Sequence, residues 1–177
     1  IGDNDSKRKD ITLYRVPEPI LAPGGPQRLV APKPQRFPLR YPGGPRNAET
    51  LLVHPKTGAH FIVTKTDSGV SEIFAVPEFR GLQRLGTVRA GGEVTDGAIS
   101  PNGQELALMT YQNLLLWKLT GRISLTSALQ ERPSVVPIPK ALDQAEAIAY
   151  SPDGRMLYVT TEGKKPEVYG VSRPLPI

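Results

Sequence analysis

Three acidic residues recur about fifty residues apart and are the strongest candidates for chemistry: Glu49, Asp96 and Glu146. Each stands just before a short apolar run, so a fold that repeats this run around one axis would bring the three carboxylates together at one end of it. Carboxylates in a narrow channel repel, and they are accommodated by raised pKa values, by a basic partner or by a shared cation. Oxygen ligands of this kind suit Ca²⁺. The expected ligands are Glu49, Asp96, Glu146, Asp3 and Asn4. The alternative is that these acids hydrogen-bond to backbone N–H groups and tie neighbouring repeats together.

The elements that must position these acids are repeats with a shared plan, seen in residues 49–58, 96–103 and 146–154. Each copy has a carboxylate, an apolar run, a turn containing Pro and ending in Gly, and then a β-rich run. In the Ser151–Gly154 turn, Pro presets φ at the second position, Asp suits the third and Gly adopts the left-handed conformation that closes a hairpin. A repeat of this length with four antiparallel strands is typical of a propeller blade.

The chain therefore divides into four pieces of an all-β fold. The expected pieces are 1–46, the end of one blade with a Pro/Gly-rich connection; 47–93, a blade; 94–143, a blade with a short helical insertion; and 144–177, an incomplete blade.

Individual strands and turns follow from local composition. Residues 11–16 alternate and include β-branched side chains, which indicates a strand. The continuous apolar run Leu51–Val53 predicts a strand that is buried on both faces. Residues 124–131 carry spaced apolar residues behind a Ser N-cap and predict two helical turns.

Composition limits the possible functions. The 19 Pro and 17 Gly among 177 residues favour short strands and frequent turns over long helices. Cysteine is absent, which excludes disulfides, thiolate metal sites and a cysteine nucleophile. The net charge is +5, but the basic residues are scattered, so we expect no nucleic-acid partner. No apolar run is long enough to span a membrane.

Three to four blades leave a propeller open. Several hundred Å² of bare blade face would cost on the order of ten kcal/mol at about 25 cal/mol per Å², which is comparable to the stability of a whole domain. We therefore expect the chain to be a fragment whose remaining blades come from a separate piece or another chain. A closed four-bladed ring is the alternative.

Two blocks, residues 150–159 and 99–107, resemble bacterial WD40-like propeller repeats with a Ser-Pro-Asp-Gly turn. Four further passages resemble a group of secreted bacterial propeller proteins of unassigned activity. They are 1–4 with 13–19, 48–52, 94–98 and 146–150. The resemblance implies an exported, extracellular or periplasmic protein whose complete propeller has six or seven blades. It implies no defined reaction.

Two functions remain open at this point. The first is a binding or scaffold module that presents its loops or channel mouth to a protein or glycan. The second is a metal-dependent hydrolase, like lactonase and phytase propellers, in which the channel acids hold the ion that activates water. The residues give no other catalytic set, because no Gly-x-Ser-x-Gly motif is present and the His54 and His60 pair has no third zinc ligand nearby.

Overall fold

The computed structural model describes residues 1–19, 24, 32–119, 124–142 and 144–172. The fold is all-β, with 47% of residues in strands and 6% in helices, as predicted. The described strands in chain order are β1 (Ile11–Arg15), β2 (Gln35–Leu39), β3 (Ala48–Val53), β4 (His60–Thr64), β5 (Val70–Ala75), β6 (Gln83–Arg89), β7 (Val94–Ile99), β8 (Glu105–Thr110), β9 (Asn113–Lys118), β10 (Ser134–Pro137), β11 (Ala145–Tyr150), β12 (Met156–Thr161) and β13 (Val168–Ser172).

These strands form four antiparallel sheets, and in each one chain neighbours are also sheet neighbours. Sheet 1 contains β1 and β2, sheet 2 contains β3 to β6, sheet 3 contains β7 to β10, and sheet 4 contains β11 to β13. The first strands of sheets 2, 3 and 4 lie side by side, with β7 contacting both β3 and β11. The described residues do not form a closed ring of sheets.

Among the residues that the structure describes, helical structure is limited to short segments. The helix α1 (Leu125–Ala128) lies between β9 and β10, and its N-cap Ser124 accepts a hydrogen bond from the Ser127 N–H. The predicted helix is therefore present but shorter than expected. Two 3₁₀ segments occupy Pro77–Phe79 and Lys140–Leu142. None of the helices in the described ranges has the length and apolar character needed to cross a bilayer.

Three hydrophobic clusters fill the spaces between consecutive sheets. The cluster between sheets 1 and 2 includes Leu13 and Phe74. Leu52 and Leu108 belong to the cluster between sheets 2 and 3, and the third cluster lies between sheets 3 and 4. Because each sheet in the middle of the stack contributes side chains to both neighbours, its strands alternate between two buried faces rather than one buried and one wet face.

The three predicted turns are confirmed and lie at corresponding positions. The glycines that end them have φ values of 68° at Gly58, 70° at Gly103 and 72° at Gly154. In the two Ser-Pro turns, the serine hydroxyl accepts a hydrogen bond from the backbone N–H at the start of the next strand. These bonds run from Glu105 to Ser100 at 2.8 Å and from Met156 to Ser151 at 2.9 Å.

The expectation that β3 is buried on both faces is wrong. Leu52 is 1% exposed, but Leu51 is 38% and Val53 is 46% exposed. These two residues alternate with Leu52 and therefore point toward sheet 1. The two strands of sheet 1 pack on Ile62 and Phe74 of β4 and β5, and they leave the part of β3 that carries Leu51 and Val53 uncovered.

Candidate functional site

The candidate acids lie at, or directly after, a β-bulge in the first strand of sheets 2, 3 and 4. The pairing register skips one residue after Ala48, one after Val94 and one after Ala145. The skipped residues are Glu49 in β3, Thr95 in β7 and Glu146 in β11. A bulge changes the direction of the side chains beside it, so this irregularity, present in all three sheets, sets where the acids point.

The register shows that Asp96 is not the equivalent of Glu49 and Glu146. Its position follows the bulge, and the bulge residue of β7 is Thr95. The buried Thr95 hydroxyl donates to the Ala145 carbonyl at 2.9 Å and so joins sheet 3 to sheet 4. The three repeats, as defined in the sequence, placed the acids at matching positions. Counting back six residues from the turn prolines would have given 49, 95 and 146.

Two residues that the repeat pattern did not indicate connect the acids. Lys65 and Tyr111 directly follow β4 and β8, and Glu162 occupies the same position after β12. The three positions are equivalent because each lies six residues after the residue whose carbonyl closes the preceding turn: Ala59, Glu105 or Met156. That constant offset is the sequence signal that would have found them.

Lys65 and Tyr111 join two of the three acids into one hydrogen-bonded chain. The Lys65 ammonium donates to Glu49 Oε2 at 2.8 Å and to the Tyr111 hydroxyl at 2.7 Å. The Tyr111 hydroxyl in turn donates to Glu146 Oε1 at 3.0 Å. Lys65 Nζ also lies 4.9 Å from the centroid of the Tyr111 ring. We call these four residues the inter-sheet chain, because they connect sheets 2, 3 and 4.

The electrostatics of the inter-sheet chain favour a charged lysine. Burial by itself would lower the pKa of Lys65, but its hydrogen bonds to Glu49 and Tyr111 and the negative charges of Glu49 and Glu146 raise that pKa above its usual range. The Lys65 side chain is 10% exposed and that of Glu49 is 26% exposed. Burial also raises the pKa of the Tyr111 phenol, so this hydroxyl remains a donor at neutral pH.

The other two acids are less well compensated. Asp96 Oδ2 accepts a hydrogen bond of 2.9 Å from the Ile148 N–H of sheet 4. Burial raises the pKa of Asp96, the backbone bonds oppose this, and the charge of Glu49 adds to it. Burial raises the pKa of Glu146 as well, against the hydrogen bond from Tyr111 and the charge of Lys65. The charge of Glu49 raises the pKa of both Asp96 and Glu146.

The two remaining expected ligands have different surroundings. The Asp3 carboxylate accepts a hydrogen bond from the Arg8 N–H at 2.7 Å, and the Asp3 N–H donates to Asn47 Oδ1 at 2.8 Å. Asn4 is exposed. Within the described ranges, no group of three or more His, Cys, Asp or Glu side chains is arranged to hold a metal ion. The calcium site therefore stays a prediction.

The two histidines serve separate local contacts. His54 Nδ1 lies 3.3 Å from the Lys56 N–H, within its own turn. His60 packs edge-on against Phe79, with ring centroids 4.5 Å apart. Burial lowers the pKa of His60, which keeps its ring neutral at pH 7.

A pocket opens beside Tyr111, between the turns and connections of sheets 2 and 3. It encloses about 270 Å³, and its lining includes Asp67, Glu93, Tyr111 and Gln112. Two carboxylates and an amide can accept hydrogen bonds from hydroxyl or ammonium groups of a ligand.

The site is thus a polar edge where three sheets meet, and the observed contacts make it suited to fixing the sheets and to hydrogen bonding. A scan against protein-family models finds no match for this chain, and a search of the curated proteins likewise finds none.

Proposed function

We propose that sheets 2, 3 and 4 are successive blades of a β-propeller of the WD40-like type. Three features support this. The first strands β3, β7 and β11 lie side by side, the matching turns end in glycines at one end of the sheets, and the bulges recur at the other. A radial arrangement produces all three features at once, because every blade then meets the axis through the same strand. The resemblance of the turn sequences points to the same class, with six or seven blades in all.

The exposed face of sheet 4 supports the proposal that further blades complete the ring. Tyr158 is 42% and Val168 is 68% exposed on this face. The positions equivalent to Tyr158 are Phe61, which packs against the cluster between sheets 2 and 3, and Ala107, which is fully buried. A large apolar side chain at a position that is covered in the other two blades is suited to contact with another sheet.

We propose that the complete protein is a binding or scaffold module rather than a hydrolase. The observation that carries this is the state of its acids: Glu49 is paired with Lys65, Glu146 with Tyr111, and Asp96 with the Ile148 N–H. Carboxylates that already accept hydrogen bonds from the protein stabilise the blade-to-blade contacts and have less capacity to hold a catalytic ion. The proposed extracellular or periplasmic location depends on the sequence resemblance alone.

The pocket beside Tyr111 is the proposed ligand site. Asp67 and Glu93 favour a ligand rich in hydrogen-bond donors, so within the glycan or protein class we propose a glycan whose hydroxyl or amino groups reach these carboxylates. The position of the pocket, at the same end of the sheets as the inter-sheet chain, agrees with binding at the channel mouth.

The test is an NMR titration of the ¹⁵N-labelled chain with neutral and amino sugars. We expect saturable shifts at the amides of Asp67, Gly92 and Gln112, and at least tenfold weaker binding in Glu93→Gln. The matched control is Glu78→Gln, which changes an exposed carboxylate outside the pocket. Shifts confined to the Pro-Gly turns at the other end, or calcium-dependent hydrolysis of a lactone or phosphate ester, would contradict the proposal.

A further inference from the structure

Sheet 1 has half as many strands as sheets 2 and 3. β1 pairs with β2 along its whole length, from Ile11 opposite Leu39 to Arg15 opposite Gln35. Across the described part of the chain, no strand pairs with the other edge of β1. Such an edge presents unpaired N–H and C=O groups that can accept another strand.

An uncovered apolar surface lies on the neighbouring sheet, facing the side of sheet 1. It consists of Leu51 and Val53 of β3, which are 38% and 46% exposed. The equivalent residues of β7 are Gly97 and Ile99, of which Gly97 is buried and Ile99 is half-buried against the cluster between sheets 2 and 3.

The same pair of positions is also covered one sheet further along. In β11 the equivalents are Ile148, which is 7% exposed, and Tyr150, which is half-buried. Ile148 belongs to the cluster between sheets 3 and 4, and Tyr150 packs against it. In both cases the first strand of the preceding sheet lies alongside, β3 beside β7 and β7 beside β11. Sheet 1 has no corresponding strand among those described.

We infer that a β-hairpin from outside these 177 residues adds to the free edge of β1 and covers Leu51 and Val53. The inference deepens the proposed propeller arrangement and rests on it. Two added strands bring sheet 1 to four strands, like sheets 2 and 3. The new interface then continues the series of clusters that already joins each sheet to the next.

The structure also indicates the chemistry of this hairpin. Main-chain hydrogen bonds to β1 provide affinity without sequence specificity, and alternate side chains provide the specificity. At the corresponding interface between sheets 2 and 3, the hairpin β3–β4 presents Leu52 and Phe61 to sheet 3. At the interface between sheets 3 and 4 the equivalent residues are Ala98 and Ala107, which are small. The partner hairpin therefore carries apolar residues on the face that meets β3.

The probe for the test is a peptide with the sequence of residues 48–64, closed into a ring by an added disulfide because a free two-stranded hairpin is marginally stable. Titrated into the ¹⁵N-labelled chain, it should give saturable shifts at the amides of residues 11–15. Leu51→Lys combined with Val53→Lys should weaken binding at least tenfold while leaving the melting temperature nearly unchanged, since both side chains are exposed. Tyr158→Lys, on the exposed face of sheet 4, is the matched control and should bind the peptide normally.

The absence of a saturable shift at about 1 mM peptide, which corresponds to binding weaker than about 4 kcal/mol, would overturn the inference. Shifts confined to the face of Tyr158 and Val168 would overturn it as well. So would a concentration-dependent dimer of the chain alone that the Leu51 and Val53 double variant abolishes. The last would mean that a second copy occupies the surface. The sugar titration involves neither Leu51 nor Val53, so failure here and failure of the ligand proposal are distinguishable.

Discussion

Substitutions that remove the hydrogen bonds of Lys65 or Tyr111 in the inter-sheet chain should destabilise the stacked sheets. The effects of the two substitutions on the free energy of unfolding should be coupled. Lys65→Met removes both hydrogen bonds of the ammonium and keeps most of the aliphatic stem. Tyr111→Phe removes the hydroxyl that receives one of these bonds and donates to Glu146. Because the two variants share the Lys65–Tyr111 bond, their effects cannot be independent.

The structure sets the expected size of each effect. A hydrogen bond to a charged group contributes about 1.5–3 kcal/mol, and the partial exposure of Glu49 reduces the contribution of its ion pair. We expect Lys65→Met to lower the free energy of unfolding by about 2–3 kcal/mol and Tyr111→Phe by about 1–2 kcal/mol. The double variant should lose roughly 1 kcal/mol less than the sum. For a chain of this size, Lys65→Met then lowers the melting temperature by roughly 4–12 °C.

The assay is urea unfolding of the four proteins in the cycle, followed by circular dichroism and by Trp117 fluorescence. Trp117 belongs to the cluster between sheets 2 and 3 and reports on that interface directly. Lys56→Met and Tyr14→Phe are matched controls at exposed positions and should change stability by less than about 0.5 kcal/mol. A coupling energy below about 0.3 kcal/mol, or a loss no larger than in the controls, would refute the idea that the chain of hydrogen bonds joins the sheets.

Three other predictions concern pH, calcium and the turns. Burial raises the pKa of Asp96 and Glu146, so between the ordinary carboxyl pKa and the raised values the native state holds more protons than the unfolded state. The free energy of unfolding should therefore fall as pH rises through that window. Thermal melts of the Asp96→Asn, Glu146→Gln double variant should show a flatter pH dependence, and an unchanged slope would contradict the role of these two acids. If protein hydrogen bonds rather than an ion hold the acids, as proposed, adding Ca²⁺ or a chelator should shift the melting temperature by less than about 1 °C. An ion present at a hundred times its Kd would instead add about 2.7 kcal/mol and raise the melting temperature by several degrees. Gly103→Ala and Gly154→Ala should each lower the free energy of unfolding by about 1–2 kcal/mol, because the backbone is left-handed at both positions. Urea unfolding should show a larger loss for Gly103→Ala, since its new Cβ would lie 2.9 Å from His54 Cε1, while at Gly154 the nearest atom is 3.6 Å away. Equal losses, or no recovery of the stability of Gly103→Ala by His54→Ala, would show that this close contact is absent.

The hairpin turns were predictable because their chemistry is local. Pro followed by Asn or Asp and then Gly encodes the backbone angles within four residues, and Gly103 and Gly154 adopt the expected left-handed conformation. The solvent exposure of Leu51 and Val53 was not predictable from local sequence. Whether an apolar run is buried depends on what covers it, and the covering strands of sheet 1 are not encoded near β3 in the sequence.

The repeat pattern of the sequence indicated the three acids but not the residues that hydrogen-bond to them. The charge of Glu49 contributes to the raised pKa of both Asp96 and Glu146. The alignment of the three acids was off by one at Asp96, because Thr95 occupies the bulge position of β7 and the acid stands one residue later. Lys65 and Tyr111 are a base and an aromatic residue at equivalent positions, so comparing residue types between repeats could not reveal them. Only their constant spacing from the turns could identify these two positions as equivalent.

The central claim is that the sheets meet through equivalent edges, with the inter-sheet chain at one end and the glycine turns at the other. Proton NMR tests it most directly through two contacts between sheets 2 and 3. We predict nuclear Overhauser effects between the Tyr111 ring and the ε-methylene of Lys65, whose Nζ lies 4.9 Å from the ring centroid, and between the His54 Hε1 proton and the Gly103 α-protons. Absence of both cross-peaks, in spectra that show the contacts within each sheet, would contradict the account.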